Sequence, residues 1–162
     1  DRPLYQPGTD HLIVLGNKDP GTRVPMAAAY ACGEVTRGAS HTRGTAFGCE
    51  QPELLWTSVV PAGNPMEVGE GAPDVAALRD GVLYVGYEVD TMDDVWHVTA
   101  FDVKTGRRLW DRPALVSPET ISSTRDLARL LPTDSGLFVD HGWGGAGMLD
   151  LATGKPKFTV AR

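Results

Sequence analysis

The feature that most constrains the fold is a segment that recurs about every fifty residues. An apolar strand, the pattern Asp-x-x-Thr-Gly and an aromatic residue follow one another at 100–110 and again at 148–158. A third, less regular copy occupies 46–56, where Gly48 replaces the aspartate. The final aromatic residues are Trp56, Trp110 and Phe158. Their separations of 54 and 48 residues are typical of four-stranded propeller blades.

A second landmark fixes the register of this repeat. Each unit has an aspartate turn directly before an apolar strand, at Asp10, Asp80 and Asp134. Trp56 precedes Asp80, and Trp110 precedes Asp134, by the same 24 residues. The extra length of the first unit therefore falls in one connection, which we place at 16–43, where Gly and Pro residues mark loops.

The composition predicts an all-β chain. With 19 Gly and 12 Pro among 162 residues, short apolar runs alternate with turn formers, a pattern typical of many short strands. The expected strands are 11–16, 81–89, 95–103, 136–140, 147–151 and 157–160, and 4–6 could supply a first inner strand. Two segments could be helical. The segment 26–31 is too short to be stable alone, and 122–131 fits a strand equally well.

The run from Ala100 to Trp110 resembles the blade of the pyrroloquinoline-quinone (PQQ) type propeller, also called the tryptophan-docking motif. The resemblance implies an all-β fold of four-stranded antiparallel β-propeller blades. About three blades, at 1–61, 72–112 and 125–162, would form an incomplete ring. The glycines would form the turns, the aspartates would cap backbone donors, and the aromatic rings would pack between blades. These blade-docking residues are Asp102, Gly106, Asp150, Gly154, Trp56, Trp110 and Phe158.

Three blades are too few to close a ring, since propellers typically have about 4 to 8. We therefore expect the chain to be a fragment, or to meet blades supplied by a partner. A symmetric dimer is the simplest closure, because it would supply about six blades. The expected partner is a protein, either a second copy or a chain with further blades, and a small ligand is the alternative.

Charge and hydropathy exclude two classes of partner. Acidic residues outnumber basic ones by 21 to 15, a formal net charge of −6, which argues against binding to nucleic acid. No apolar run approaches the roughly 20 residues of a membrane-spanning helix. The sequence begins without a charged leader or an apolar signal core, so we expect any targeting peptide to have been removed or to lie outside it.

We expect the two cysteines, Cys32 and Cys49, to form a disulfide. It would join the long first connection to the strand at 46–49 and would stabilise the fold by about 3 kcal/mol. A disulfide favours an extracytoplasmic location, which is periplasmic, secreted or cell-surface. Two unrelated buried thiols are the alternative.

Two loops carry candidate binding residues. Asp90, Asp93 and Asp94 form an acidic hairpin tip whose oxygens could bind calcium. Their spacing is not that of an EF-hand, so a solvated turn that discourages edge pairing is the favoured interpretation. His141 and Trp143 belong to a glycine-rich hairpin, and we expect His141 to be a surface or strand-end residue more than a ligand.

The sequence shows no set of residues that would make a quinone-dependent active site. Such a site needs a stacking aromatic, cationic groups, a metal site and an acidic base that converge at the ring centre. We therefore predict no catalytic residue and no cofactor, with PQQ and calcium as the alternative. His97, between Trp96 and Val98, is interpreted as a satisfied sheet residue.

The favoured function is a non-catalytic extracytoplasmic propeller module that binds a protein or ligand through loops on one face. The loops at 88–96 and 142–147 join equivalent strands, and we expect the connection at 16–43 to lie on the same rim. The contact residues would include Asp93, Asp94, His141 and Trp143. Two alternatives stay open: a quinone-dependent dehydrogenase or part of one, and a structural oligomer that closes a ring with partner blades.

Overall fold

A computed structural model defines the fold over eight stretches of the chain. The described residues are 2–5, 11–17, 25–39, 45–59, 75–89, 95–114, 129–141 and 145–160. Regular structure in these stretches consists of β-strands. None of the described residues forms a helix that could cross a membrane.

The strands of these stretches form three four-stranded antiparallel sheets and one separate hairpin. In chain order they are β1 (Arg2–Tyr5), β2 (His11–Asn17), β3 (Pro25–Ala31), β4 (Glu34–Ala39), β5 (Thr45–Glu50), β6 (Glu53–Val59), β7 (Val75–Arg79), β8 (Val82–Val89), β9 (Val95–Asp102), β10 (Arg108–Pro113), β11 (Arg129–Thr133), β12 (Gly136–Asp140), β13 (Ala146–Leu149) and β14 (Pro156–Val160). Blade 1 has the order β1-β2-β3-β6, blade 2 runs from β7 to β10, and blade 3 from β11 to β14. Strands β4 and β5 pair with each other.

The three sheets share one register. Third-strand and fourth-strand residues pair in the same way in each blade: Ala29 with Trp56, Ala100 with Trp110, and Met148 with Phe158. Next to each of these pairs the ladder shifts register, as at a β-bulge. The repeat in the sequence is therefore a repeat of whole sheets.

Two apolar clusters hold the sheets face to face. The first joins Ile13 of blade 1 to Leu83 and Phe101 of blade 2. The second joins Ala100 of blade 2 to Leu137 of blade 3. Because alternate residues of a strand point to opposite faces, blade 2 is covered on both sides, by blade 1 and by blade 3. The chain is thus a stack of three β-propeller blades, and the sheets do not close into a ring.

Blade 1 departs from the sequence prediction in one respect. Its third strand is β3 (Pro25–Ala31), whereas Gly48 and its neighbours lie in β5 of the extra hairpin. Trp56 does belong to the fourth strand. The insertion of blade 1 therefore occupies 32–52, between its third and fourth strands, and the predicted position at 16–43 is wrong. The alanine-rich third strand carries no Asp-x-x-Thr-Gly after it, and the next apolar run fits the repeat pattern better.

The two segments considered as helices have different outcomes. Residues 26–31 are extended in β3, where the buried Ala27 and Ala29 face blade 2. Small side chains suit a central strand with a sheet packed closely on it, and this tertiary context overrides helix propensity. Of 122–131, the described part begins the strand β11 (Arg129–Thr133), and 122–128 lie outside the described residues.

Candidate functional site

Trp56 docks on the turn that joins the third and fourth strands of blade 2. Its indole Nε1 donates a hydrogen bond of 2.7 Å to the carbonyl oxygen of Val103. Ser58 Oγ donates one of 2.6 Å to the carbonyl oxygen of Gly106. Gly106 has a φ of +69°, and a Cβ at this position would lie 2.5 Å from Trp56 Cδ2. The indole therefore occupies the space that any side chain at Gly106 would need.

The same contact joins blade 2 to blade 3. Trp110 is 7% exposed, and its Nε1 donates a hydrogen bond of 2.9 Å to the carbonyl oxygen of Leu151. Gly154 has a φ of +66°, and a Cβ there would lie 2.5 Å from Trp110 Cε3. The third aromatic of the repeat, Phe158, is 48% exposed. Two of the three aromatic residues are therefore covered by the turn of the following blade.

The aspartates of the repeat close these turns. Asp102 Oδ1 accepts hydrogen bonds of 2.8 Å from both the backbone N–H and the hydroxyl of Thr105. Asp150 Oδ1 accepts the equivalent bonds from Thr153, of 3.0 Å and 2.8 Å. The threonine hydroxyl makes the largest contribution to lowering the pKa of each carboxyl. The Asp-x-x-Thr-Gly pattern thus forms a locally satisfied turn that presents its glycine to the preceding blade.

The cysteines form the predicted disulfide, with Cα atoms of Cys32 and Cys49 5.2 Å apart. Cys32 directly follows β3, and Cys49 lies in β5. Beside the disulfide, the Gly33 N–H donates a hydrogen bond of 2.9 Å to the carbonyl oxygen of Glu50. These contacts fix the base of the β4–β5 hairpin, which stands where the other blades have the glycine turn.

The hairpin and the predicted binding loops lie at opposite ends of the sheets. In an antiparallel sheet, connections from first to second and from third to fourth strand share one end, and those from second to third strand lie at the other. The β4–β5 hairpin is therefore at the turn end. The connections β2–β3, β8–β9 and β12–β13 define the opposite end, here called the loop rim. The expectation that the insertion of blade 1 joins the loop rim is wrong for this hairpin.

The structure gives a position to one of the predicted loop residues. His141 directly follows β12 and is 2% exposed, and its backbone N–H donates a hydrogen bond of 2.9 Å to Gly145 O. It is a strand-end residue, as expected, but a buried one. Its role in binding stays a prediction. The other predicted loop residues, Asp90, Asp93, Asp94 and Trp143, lie outside the described residues.

A cluster of three polar side chains lies near the loop rim of blade 2. Tyr87 OH donates a hydrogen bond of 2.6 Å to Asp111 Oδ2. His97 Nδ1 lies 2.8 Å from Asp111 Oδ1 and 3.5 Å from the tyrosine oxygen. Burial first, and then the bond to Asp111, raise the pKa of Tyr87, so its hydroxyl stays a donor. Tyr87, His97 and Asp111 are called the polar cluster below.

The polar cluster combines burial with partial access. Tyr87 is 3% exposed and packs in the apolar cluster between blades 1 and 2. The side chains of His97 and Asp111 are 24% and 20% exposed. The carboxylate beside one imidazole nitrogen orients the ring, so the cluster can offer a ligand both hydrogen-bonding groups and a carboxylate.

The polar cluster is a candidate site that the sequence did not predict. The interpretation of His97 as a satisfied sheet residue agrees with its hydrogen bond, but the imidazole also belongs to a cluster that reaches the surface. Two signals were present. Tyr87 and His97 pair directly across the hairpin of β8 and β9, and Asp111 directly follows the docking residue Trp110.

A metal site finds no support in the described part of the chain. No three side chains of the types His, Cys, Asp or Glu come together there in a way that could hold an ion. The polar cluster supplies only two such side chains, His97 and Asp111.

Among known proteins, matches to this chain are found by structure and not by sequence. No family model matches the sequence, and no curated protein matches it. Among solved structures, the chain is similar to one named europium-containing methanol dehydrogenase, with a TM-score of 0.56 and 16% identity. The match covers 98% of this chain and 24% of the other, so the chain spans about a quarter of its neighbour's length. At this identity the likeness shows a shared fold and carries no activity with it.

This likeness corrects the expectation that the chain has no cofactor. A protein with blades of the same fold is, by its name, europium-containing, so the lack of a recognisable site motif is no argument against a bound group. Neither the expected absence nor the alternative of PQQ with calcium is retained. The comparisons therefore show what this chain is like in fold: a segment of β-propeller similar to part of a methanol dehydrogenase.

Proposed function

We propose that the chain is an extracytoplasmic β-propeller module that binds a polar ligand or a protein partner at its loop rim. The second strand of each blade ends at that rim and the third strand begins there, so the three blades all have strand ends at the same rim. The Cys32–Cys49 disulfide supports an oxidising compartment, since such bonds are rare in the cytosol. The chemistry of this rim suits a partner that offers hydrogen-bonding or charged groups.

The single observation that carries this proposal is the polar cluster. Tyr87 packs in an apolar cluster between blades 1 and 2, and burying polar groups in such a place is unfavourable unless they are hydrogen-bonded. Tyr87 and His97 both contact Asp111, yet the imidazole and the carboxylate keep about a fifth to a quarter of their surface exposed. A hydrogen-bonded but accessible polar cluster of this kind, near the loop rim, is a typical recognition element.

The experiment is a ligand screen followed by nuclear magnetic resonance (NMR) on the isotope-labelled chain. Candidate alcohols, sugars and short peptides are added, and the shifted amide and histidine signals are mapped on the structure. We expect a ligand that binds to shift the signals of Tyr87, His97 and Asp111, and Asp111→Asn to weaken that ligand at least tenfold. Shifts confined to the turn end, at Gly106 or Gly154, would contradict the proposal.

Reversing charges at each end of the sheets tests whether the ligand binds at the loop rim or at the turn end. We expect a variant with Asp93→Lys and Asp94→Lys to change the affinity for the ligand found in the screen. The matched control reverses two exposed charges of the blade 2 turn, with Lys104→Glu and Arg107→Glu, and should leave affinity unchanged. Equal effects of both pairs would count against a rim-specific contact.

A second candidate function is that the chain forms part of a dehydrogenase. The fold likeness to a methanol dehydrogenase favours it, and the active centre would then need groups beyond the described residues. The test is reduction of an electron-accepting dye by the protein isolated from its source, with methanol and other alcohols as donors. Dye reduction that depends on alcohol and follows the chain through purification supports this candidate. Purified protein that reduces no dye with any alcohol contradicts it.

A further inference from the structure

The side chains of the polar cluster direct their donor hydrogens at one another. The Tyr87 hydroxyl donates its hydrogen to Asp111 Oδ2 over 2.6 Å. A carboxylate only accepts hydrogen bonds, so the 2.8 Å contact between His97 Nδ1 and Asp111 Oδ1 places a proton on Nδ1. Both of these donors therefore point inward, at the carboxylate.

The groups that remain for a ligand are acceptors. A neutral imidazole with its proton on Nδ1 has its free lone pair on Nε2, which points away from the carboxylate that Nδ1 contacts. Each oxygen of Asp111 has accepted one hydrogen bond within the cluster and has capacity for another. The side chains of His97 and Asp111 are partly exposed, so a ligand can reach them. The polar cluster thus presents lone pairs to an incoming group.

Negative charge dominates at this position. Burial first, and then the bond and the charge of Asp111, raise the pKa of Tyr87, and the opposing effect of Arg108 is the smallest of these influences. Within the described stretches, the ion-pair contact of Asp111 is with His97. The carboxylate is therefore available to a cation that comes from outside those stretches.

The sequence adds acidic residues close to the cluster. Tyr87 and His97 pair across the hairpin, two residue pairs before β8 and β9 end at Val89 and Val95. That separation is roughly 7 Å, within the Debye length of about 8 Å at physiological ionic strength. The sequence at 88–94 contains four acidic side chains and no basic one. A cation that approaches this end of the hairpin is therefore attracted to it.

We propose that the polar cluster binds the arginine side chain of a basic protein segment. This inference names the chemistry of the partner in the proposed loop-rim function and rests on that function. A guanidinium carries donor hydrogens and no acceptor, so it complements a cluster that presents lone pairs. Its donors form a rigid fork, which lets one group bond to His97 Nε2 and to the Asp111 carboxylate together. A carboxylate ligand would instead be repelled by Asp111, and the described residues offer too few side chains to hold a metal ion.

The first test needs no ligand and uses the natural chain. Long-range proton–nitrogen NMR correlations distinguish a protonated from an unprotonated ring nitrogen. In mildly alkaline buffer we expect His97 to carry its proton on Nδ1 and a lone pair on Nε2. A proton on Nε2 overturns the inference, because the cluster would then present a donor. The proposed loop-rim function would stand in that case, since a ligand with acceptor groups could still bind.

The second test titrates the isotope-labelled chain with an otherwise uncharged, capped peptide that contains one arginine. The matched peptide contains citrulline, whose urea group keeps the shape of the guanidinium without its charge. We expect the arginine peptide to shift the signals of Tyr87, His97 and Asp111 and to bind at least tenfold more tightly than the citrulline peptide.

Two variants show whether the bound charge lies at the cluster. Asp111→Asn should weaken binding of the arginine peptide at least tenfold. Asp134→Asn makes the same change at an aspartate of the turn end whose side chain is 95% exposed, and it should leave binding within twofold. Equal effects of the two variants, or shifts that avoid the polar cluster, overturn the inference.

The outcomes separate this inference from the function on which it rests. Shifts of the polar cluster with the citrulline peptide but not with the arginine peptide reject the cation and leave the loop-rim function in place. No shift of the cluster with either peptide, nor with the alcohols and sugars of the ligand screen, rejects both.

Discussion

The contact between an indole ring and a glycine α-carbon determines how neighbouring sheets meet. Gly106 and Gly154 adopt positive φ, where other residues are strained, and both lie beneath a tryptophan. The backbone requirement and the packing requirement therefore act on the same residue. The turn sequence is consequently part of the interface between blades as well as a connection within one.

Replacing Gly106 by alanine tests the packing requirement. We expect Gly106→Ala to lower the free energy of unfolding by about 2 to 4 kcal/mol, because it adds overpacking against Trp56 to the backbone strain. Gly81→Ala is the matched control: Gly81 also has positive φ, at +76°, but a Cβ there would meet nothing within 4 Å. It should cost only about 1 kcal/mol. Urea unfolding measures both, and equal losses would show that Trp56 does not press on the turn.

The turn carboxylates give the fold a pH dependence of known sign. Hydrogen bonds from Thr105 lower the folded-state pKa of Asp102 below its unfolded value of about 3.9. A lowered pKa stabilises the fold above the unfolded value, and that contribution disappears as the pH falls through the folded value. Because Asp102 is partly exposed to solvent, the effect should be modest and weakened by salt.

We therefore expect Asp102→Asn to lower the free energy of unfolding at neutral pH. The free energy of unfolding of this variant should also fall less steeply than that of the natural chain as the pH is lowered. Urea unfolding from about pH 7 to about pH 2 measures this, since the contribution fades below about pH 4. The control Glu53→Gln removes a carboxyl outside the turns and should not change how the free energy of unfolding falls with pH in acid. If the free energy of unfolding of Asp102→Asn fell with pH as steeply as that of the natural chain, the turn would not stabilise the ionised form of Asp102.

Residues that act within one short turn could be predicted from the sequence, whereas residues that come together across the sheet could not. The turn residues Asp102 and Gly106 act within one short motif, so their pattern is visible along the sequence. The polar cluster joins residues up to 24 positions apart on three strands. Its formation depends on which strand faces which, and a single sequence does not specify this for isolated polar residues.

Among the elements, the β4–β5 hairpin differs most from the repeat. It replaces a short turn by residues 32–52 and carries the disulfide at its base. The strands of blades 2 and 3 were predictable because apolar runs alternate with turn formers. In blade 1 the hairpin's own apolar residues resembled a third strand, whereas β3 (Pro25–Ala31) is alanine-rich and gave little signal. An insertion that forms its own strands therefore resembles a blade strand in the sequence.

Removing the disulfide tests how much the hairpin depends on it. The two cysteines are 17 positions apart, and a loop of that size predicts a loss of about 3 kcal/mol for the Cys32→Ser, Cys49→Ser variant. Hydrogen exchange should show the largest loss of protection in blade 1, because the bond lies there. A reducing agent should destabilise the natural chain to the same extent and leave the variant unaffected. Unchanged unfolding of the variant would contradict a stabilising role.

At the scale of the whole molecule, the stack has two unlike ends. Blade 2 is covered on both faces, whereas blade 1 carries the β4–β5 hairpin at its turn end. Blade 3 presents large apolar residues, with Phe158 in the docking position of the repeat. The sequence suggested that two copies could close a ring symmetrically. In such a ring the hairpin of blade 1 would lie at the position where a glycine turn is needed.

The central claim is that aromatic residues of one blade cover the turn glycine of the next. The most direct measurement is the NMR signal of the α-protons of Gly106 and Gly154, together with nuclear Overhauser contacts to the indole rings. Protons beneath an aromatic ring are shielded, so we expect both glycines to show upfield-shifted α-protons, with contacts from Trp56 to Gly106 and from Trp110 to Gly154. Ordinary glycine shifts with no contact to either indole would contradict the account.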